Sequence, residues 1–291
     1  MFCIIALTRR FVMQLIVIRH AQSANNILMD GERVISRAEF EIARSQDPPL
    51  SSLGERQIQE LGAGVAKALW KPLSPRVRET RKRCSRRYVP RVHVAVSPMR
   101  RALRTAVPVI ESMKTLNEKA LVELTGVEIV PFIYEIGGCY KEQNGTFTGF
   151  PGMSNIQATE IIPGALTHPS MDHGWWKSNA RETEEQLEFR VTQTVEWIRR
   201  SAWEGRYDVL IMVSHQDFAC ACLRRLAQTA VISWLYNTSL SSLTLDPLVS
   251  PELDPEAVDK SSDGSMSGIH HCKVTIDWIN SVDHLSPDNI S

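Results

Sequence analysis

Short apolar runs punctuate the chain, and each ends abruptly in polar residues. Gln14-Leu-Ile-Val-Ile18 is a β-branched run of the kind that forms a strand buried on both faces. It breaks into Arg19-His20 and a polar stretch through Asn26. His93-Val-Ala-Val96 is a second such run, followed by Ser97-Pro98, and Tyr207 to Val213 is a third, ending in Ser214-His215. Between them the period becomes helical. Ile58, Leu61, Val65 and Leu69 line one face of residues 51–70, and Ser51 or Ser52 supplies the cap. Helices are also expected from about Met99 to Met113, Glu182 to Ser201 and Phe218 to Ala227. Arg181, Glu182 and Glu185 open the second of these, where acids favour the positive helix end. Asn237–Asp246 and Cys272–Asn280 alternate enough to be strands. Strands alternating with helices predict an α/β layer fold with a mainly parallel sheet.

The remaining segments read as insertions within one domain, residues 14–291, at about 74–91, 137–180 and 247–269. The first is dense in cations from Arg76 to Arg91 and reads as a solvated surface loop. The second is rich in Gly, Pro, Asn and Ser, and loops of that length are usually lids or binding loops. Trp175-Trp176 within it reads as packing. Residues 1–13 fit an extension ahead of a start at Met13 or a weak organellar targeting segment, with the cytoplasm as the default compartment.

Composition narrows the function classes. The 291 residues carry 33 basic and 33 acidic side chains, so the surface as a whole is not built for nucleic acid or anionic membrane. No apolar run reaches the ~20 residues of a membrane-spanning helix, since Phe2 to Ile18 is interrupted by Arg9, Arg10 and Gln14. Cys220 and Cys222 lack a second pair to complete four zinc ligands, so no metal or other cofactor is expected.

In open parallel sheets, ligands collect beyond the carboxyl ends of the strands. Folding therefore brings Arg19, His20, Arg101 and His215 to one edge. Two imidazoles and two guanidiniums repel one another unless a multiply charged anion sits among them. Phosphate fits best, because the arginine fork matches its oxygens in a bidentate way. One imidazole can attack phosphorus, the other cations can steady the equatorial oxygens, and a carboxylic acid is then needed for the leaving oxygen.

Four segments in order carry a family resemblance. IVIRHAQSANN (16–26), PPLSSLGERQIQELG (48–62), SPMRRALRTA (97–106) and VSHQD (213–217) resemble the signatures of the histidine phosphatase superfamily, phosphoglycerate mutase-like branch. The resemblance spans roughly residues 14–245 and implies a three-layer α/β/α sandwich around a mainly parallel sheet. It implies His20 as nucleophile, with Arg19, Arg101 and His215 completing the phosphate pocket, and Ser23, Asn26 and Gln216 as substrate contacts. The acid it implies is Glu135, in YEIGGCY, with Glu142 and Asp217 as alternatives. Gln216 stands where glycine is usual, and Ala21 replaces the commoner glycine after the histidine.

The implied activity is metal-independent hydrolysis of a phosphomonoester through phosphohistidine. Two alternatives stay open: a phosphoglycerate mutase-type transferase and a phosphate-binding pseudo-phosphatase. YEIGGCY lacks the N-E-R-x-Y-G pattern usual in the branch's mutases, which favours the hydrolase. The expected partner is a phosphorylated substrate of unspecified identity; oligomeric state is left open.

Overall fold

The computed structural model describes residues 12–30, 35–70, 88–248 and 271–291. Most of the cationic segment 76–91, the excursion 247–269 and the N-terminal extension lie outside the described residues. Strands β1 (Met13–Arg19), β2 (Arg91–Val96), β3 (Glu123–Ile129), β6 (Val209–Ser214), β7 (Leu240–Pro247) and β8 (Cys272–Ser281) form one sheet in the order β3-β2-β6-β1-β7-β8. The pairs β2–β3, β2–β6 and β1–β6 are parallel, whereas β7 is antiparallel to both neighbours. This is the expected mainly parallel sheet with an antiparallel margin.

The three central strands are the three apolar runs. Every residue of β1 and of β6 is buried, because both faces are covered by helices. On one face lie α3 (Ser52–Trp70), α4 (Arg100–Glu118) and the short α5 (Asn155–Ile161), where Leu61, Val65, Leu103 and Met113 meet Ile16, Val94 and Ile211. On the other lie α6 (Glu184–Trp203) and α7 (Gln216–Ala227), where Val195, Ile198 and Phe218 meet Leu15, Val17 and Met212. Helix α3 starts as expected, with the Ser51 hydroxyl accepting the Gly54 N–H at 3.0 Å.

Some elements depart from expectation. Two short helices, α1 (Ala24–Asp30) and α2 (Arg37–Ala43), follow the first strand, and α2 is opened by a Ser36/Glu39 capping box. The helix expected from Glu182 begins at Glu184 instead. Thr183 is its N-cap, closing a box with Gln186, so Arg181 and Glu182 precede the helix. The 137–180 insertion is no structureless loop. It contains the hairpin β4 (Tyr140–Gln143) and β5 (Thr146–Gly149), turned at Asn144-Gly145, both at positive φ as a type I′ turn requires. Trp175 and Trp176 bury themselves in the main core, in line with a packing role. Among the described residues, no helix is long and apolar enough to cross a membrane.

One close approach sets where the loop after β1 lies. A Cβ on Gly54 would fall 2.1 Å from the Gln22 carbonyl oxygen, so α3 rests directly on that loop. Gly54→Ala is expected to destabilise the protein by about 1–3 kcal/mol, since backbone must shift to admit a methyl group. Urea denaturation checks this; an unchanged midpoint would contradict so tight a contact.

Candidate active site

Strand register builds the centre. Arg19 pairs with Ser214 across β1 and β6, so the residues that follow, His20 and His215, emerge side by side. The His20 N–H donates to the Ser214 carbonyl at 2.9 Å, and the two rings lie 5.0 Å apart, centroid to centroid. Ser97, leaving the third parallel strand, sits with its hydroxyl 2.7 Å from His215 Nε2. Arg101 follows at the start of α4. The sequence expectation that these groups share one sheet edge matches their placement.

Hydrogen bonds fix the chemistry of His20. Its Nδ1 lies 2.7 Å from the Ala21 carbonyl oxygen, which can only accept. Nδ1 therefore carries the hydrogen, and Nε2 presents its lone pair. Arg101 Nε donates to that lone pair at 3.0 Å. The backbone around the imidazole is held as well. Thr105 Oγ1 accepts the Ala21 N–H at 3.0 Å and donates to the Arg101 carbonyl at 2.7 Å, while Asn237 Nδ2 donates to the His20 carbonyl at 2.9 Å.

Burial and like charge keep both imidazoles neutral. Both are held well below the ordinary histidine range, His20 by burial, then Arg101 and Arg19, and His215 by burial, then Arg101. Arg101 Nη1 and His215 Nδ1 are buried and have no hydrogen-bond partner. Buried polar atoms rarely stay unpaired, and a guanidinium N–H can only donate, so Arg101 Nη1 calls for a ligand that accepts hydrogen bonds. Arg19 donates to the Leu235 carbonyl and lies 5.4 Å from the Trp234 ring centroid.

The three acids differ in placement. Glu135 Oε1 accepts the Ile136 N–H at 2.8 Å and the Phe218 N–H at 3.1 Å, in the first turn of α7. Burial and the neighbouring Asp217 carboxylate push Glu135 above the usual carboxylate range. Its charge also acts on Arg101. Glu142 accepts the Gly145 N–H within its own hairpin turn, and Asp217 is exposed, accepting from Gln216 Nε2 at 3.3 Å. Asn26 Oδ1 accepts from both the N–H and the hydroxyl of the buried Ser23, at 3.0 and 2.9 Å, which leaves the Asn26 amide hydrogens for a ligand. Gln216 is half-buried at the first position of α7, its Nε2 turned to Asp217 and its Oε1 buried without a hydrogen-bond partner.

Sequence reasoning missed the groups that hold this centre. Glu182 and Arg190 form a buried bidentate pair with both contacts at 2.7 Å. Arg190 also donates to the Phe132 and Tyr134 carbonyls, and Glu182 accepts the Gly137 N–H, so the pair clamps the loop that carries Glu135. Asp47 was also missed. It faces Arg101 Nη1 at 3.9 Å and accepts the Arg100 N–H at 3.0 Å. The Gln57 side chain, wholly buried, accepts the Gln22 N–H and donates to the Asn289 carbonyl. Among the described residues, no group of three or more His, Cys, Asp or Glu is placed to hold a metal ion.

No family model matches the chain, and no curated protein matches it. Solved structures do resemble it. Mycobacterial hydrolase 2 is 18% identical, with a TM-score of 0.48 over 95% of this chain and 94% of its own. The mycobacterial glucosyl-3-phosphoglycerate phosphatase complexed with VO3 is 17% identical, with a TM-score of 0.46 over 92% and 100%. The protein histidine phosphatase SixA, complexed with tungstate, is 15% identical, with a TM-score of 0.40 over 80% and 89%. Hydrolases and phosphatases thus stand among the structures it resembles.

Asp47 yields a pH-dependent prediction. Burial, outweighing Arg101, raises its carboxyl from 3.8 to about 6. The folded protein therefore holds this proton more tightly than the unfolded chain does. The resulting stability is complete below the unfolded value and is lost as pH rises through about 6. Asp47→Asn, which cannot ionise, is expected to gain about 2–3 kcal/mol on the wild type between pH ~4 and pH ~7.5. Urea denaturation of both proteins at both pH values measures the gap; a constant gap would mean that Asp47 titrates normally.

Proposed function

We propose that this chain is a phosphomonoester hydrolase of the histidine phosphatase superfamily, working without a metal through a phosphohistidine on His20. One observation carries the reading: a neutral, oriented His20 Nε2 faces the buried Arg101 guanidinium, whose Nη1 lacks an acceptor. The sequence resemblance around residues 16–26, 97–106 and 213–217 supports the same assignment.

In this reading the phosphate displaces the Arg101 contact at His20 Nε2 and takes over the unused donors of Arg101 and His215. Arg19, and the Asn26 amide beyond the loop, hold further oxygens. Nε2 attacks phosphorus as the ester P–O bond breaks, and Glu135 gives its proton to the departing alkoxide. Water then donates a proton to the Glu135 carboxylate and its oxygen attacks phosphorus. The Nε2–P bond breaks, releasing inorganic phosphate and restoring the imidazole. The guanidiniums stabilise the charge on the equatorial oxygens in both steps.

A carboxyl raised by burial and by Asp217 keeps its proton to higher pH than an ordinary carboxylic acid, as a proton donor requires. Hydrolysis of an alkyl phosphate should fall as pH rises through the raised Glu135 value, while p-nitrophenyl phosphate, whose leaving group departs unprotonated, follows less steeply. Glu135→Gln should remove most alkyl phosphate turnover and spare much of the aryl turnover. Equal losses on both would assign the acid elsewhere. The primary test is p-nitrophenyl phosphate hydrolysis with excess EDTA: activity should persist in the wild type and vanish in His20→Ala. A His20→Ala protein as fast as the wild type would overturn the mechanism.

A further inference from the structure

One buried cation has no part in the phosphate pocket. Arg44 closes α2 as its C-cap, its N–H donating to the Phe40 carbonyl. Its side chain is only 8% exposed, and Nε and Nη1 are buried without a hydrogen-bond partner. The nearest carboxylate, Glu41, stands 3.8 Å from Nη1 and is already engaged. It accepts the Tyr140 hydroxyl at 3.0 Å and pairs with Arg37 at 2.7 Å. The Arg44 guanidinium rests instead against the face of Tyr140, 4.0 Å from the ring centroid. A buried charge without hydrogen-bonding partners is costly, and a bound anion offsets that cost.

Its position is next to the reacting centre. Ser45 is fixed by Asn25, which accepts its N–H and donates to its carbonyl. Asp47, facing Arg101, follows within the same short segment, and three residues of chain span at most about 10 Å. From the other side, Cys139 Sγ donates to the Gln46 carbonyl at 3.9 Å, tying the loop that leads from Glu135 to Tyr140 against this segment. The charges of Arg44 and Arg101 both act on the Cys139 thiol. Arg181 flanks the same Tyr140 ring at 5.3 Å, adding a second cation.

We propose that Arg44, backed by Tyr140 and flanked by Arg181, binds a second anionic group of the substrate, a phosphate or a carboxylate, one short carbon skeleton away from the phosphate attacked by His20. The inference rests on the hydrolase reading and adds to it a substrate class, phosphomonoesters that carry another acidic group. A fork of free N–H donors suits either anion.

The test compares n-butyl phosphate, 4-phosphooxybutyrate and 1,4-butanediol bisphosphate, which share an alkoxide leaving group. The wild type should show kcat/KM about ten- to hundredfold higher for at least one doubly anionic ester, the worth of a charge-assisted contact. Which of the two is preferred separates carboxylate from phosphate. Arg44→Met keeps a stem over Tyr140 and removes the charge; it should erase most of the preference through KM, and Arg44→Lys should restore part of it. A wild type without preference overturns the subsite, needs no variant, and leaves the hydrolase reading standing. A preference that survives in Arg44→Met also overturns it. No hydrolysis of any of the three esters, nor of p-nitrophenyl phosphate, by the wild type overturns the hydrolase reading, and the subsite with it.

Discussion

Positive charge gathered in a buried place is the constraint on which this structure turns. Arg19 and Arg101 both reach the carboxyl edge of the sheet among two imidazoles, and all four side chains are buried. The imidazoles meet the constraint by staying neutral, and Asp47 offsets part of the charge on Arg101. What is left is an Arg101 donor without an acceptor next to the lone pair on His20 Nε2. A dianionic tetrahedral group would resolve that arrangement, and in the proposed reading the neutral His20 imidazole beside it is the nucleophile. Chemistry and electrostatics follow from the same burial.

The geometry depends on groups far away in the chain. Thr105 on α4 and Asn237 ahead of β7 hold the two polar groups of the peptide unit that follows His20. Gln57 on α3 ties the loop after His20 to the C-terminal residues, through the Asn289 carbonyl and the Ser291 hydroxyl. The Glu182–Arg190 pair does the same for the loop of Glu135, with Arg190 also stacked 3.7 Å from the Tyr134 ring centroid and 4.1 Å from that of Phe218. A buried pair of this kind adds little net stability but fixes one geometry, because either charge alone would be stranded. Glu135 and His20 thus sit on separate supports.

The legible parts of the sequence were those written in local pattern. Apolar runs ending at His20, Ser97 and His215 announced the central strands, and their burial on both faces explains why. The β3 strand went unread because it lies at the sheet margin, half-buried and carrying Gly126, so neither a continuous run nor clean alternation marks it. The Asn144-Gly145 turn was present as a signal within a segment that composition described as an irregular loop, and the α2 capping box lay in a stretch left unassigned. Asp47 against Arg101 could not be read at all. Pairing across such a separation leaves no periodic trace; only the tertiary fold, which sets the segment after α2 against the start of α4, brings these residues together.

The central claim is that His20 Nε2 becomes bonded to phosphorus during turnover. The most direct measurement is to mix the enzyme with a rapidly cleaved aryl phosphate, quench in alkali within the first turnovers, digest, and map the phosphoryl group by mass spectrometry. The account predicts a base-stable, acid-labile adduct on the peptide containing His20, at Nε2, absent from His20→Ala. An adduct on another side chain, or turnover with no phosphoryl-enzyme on a timescale that resolves its formation, would contradict it.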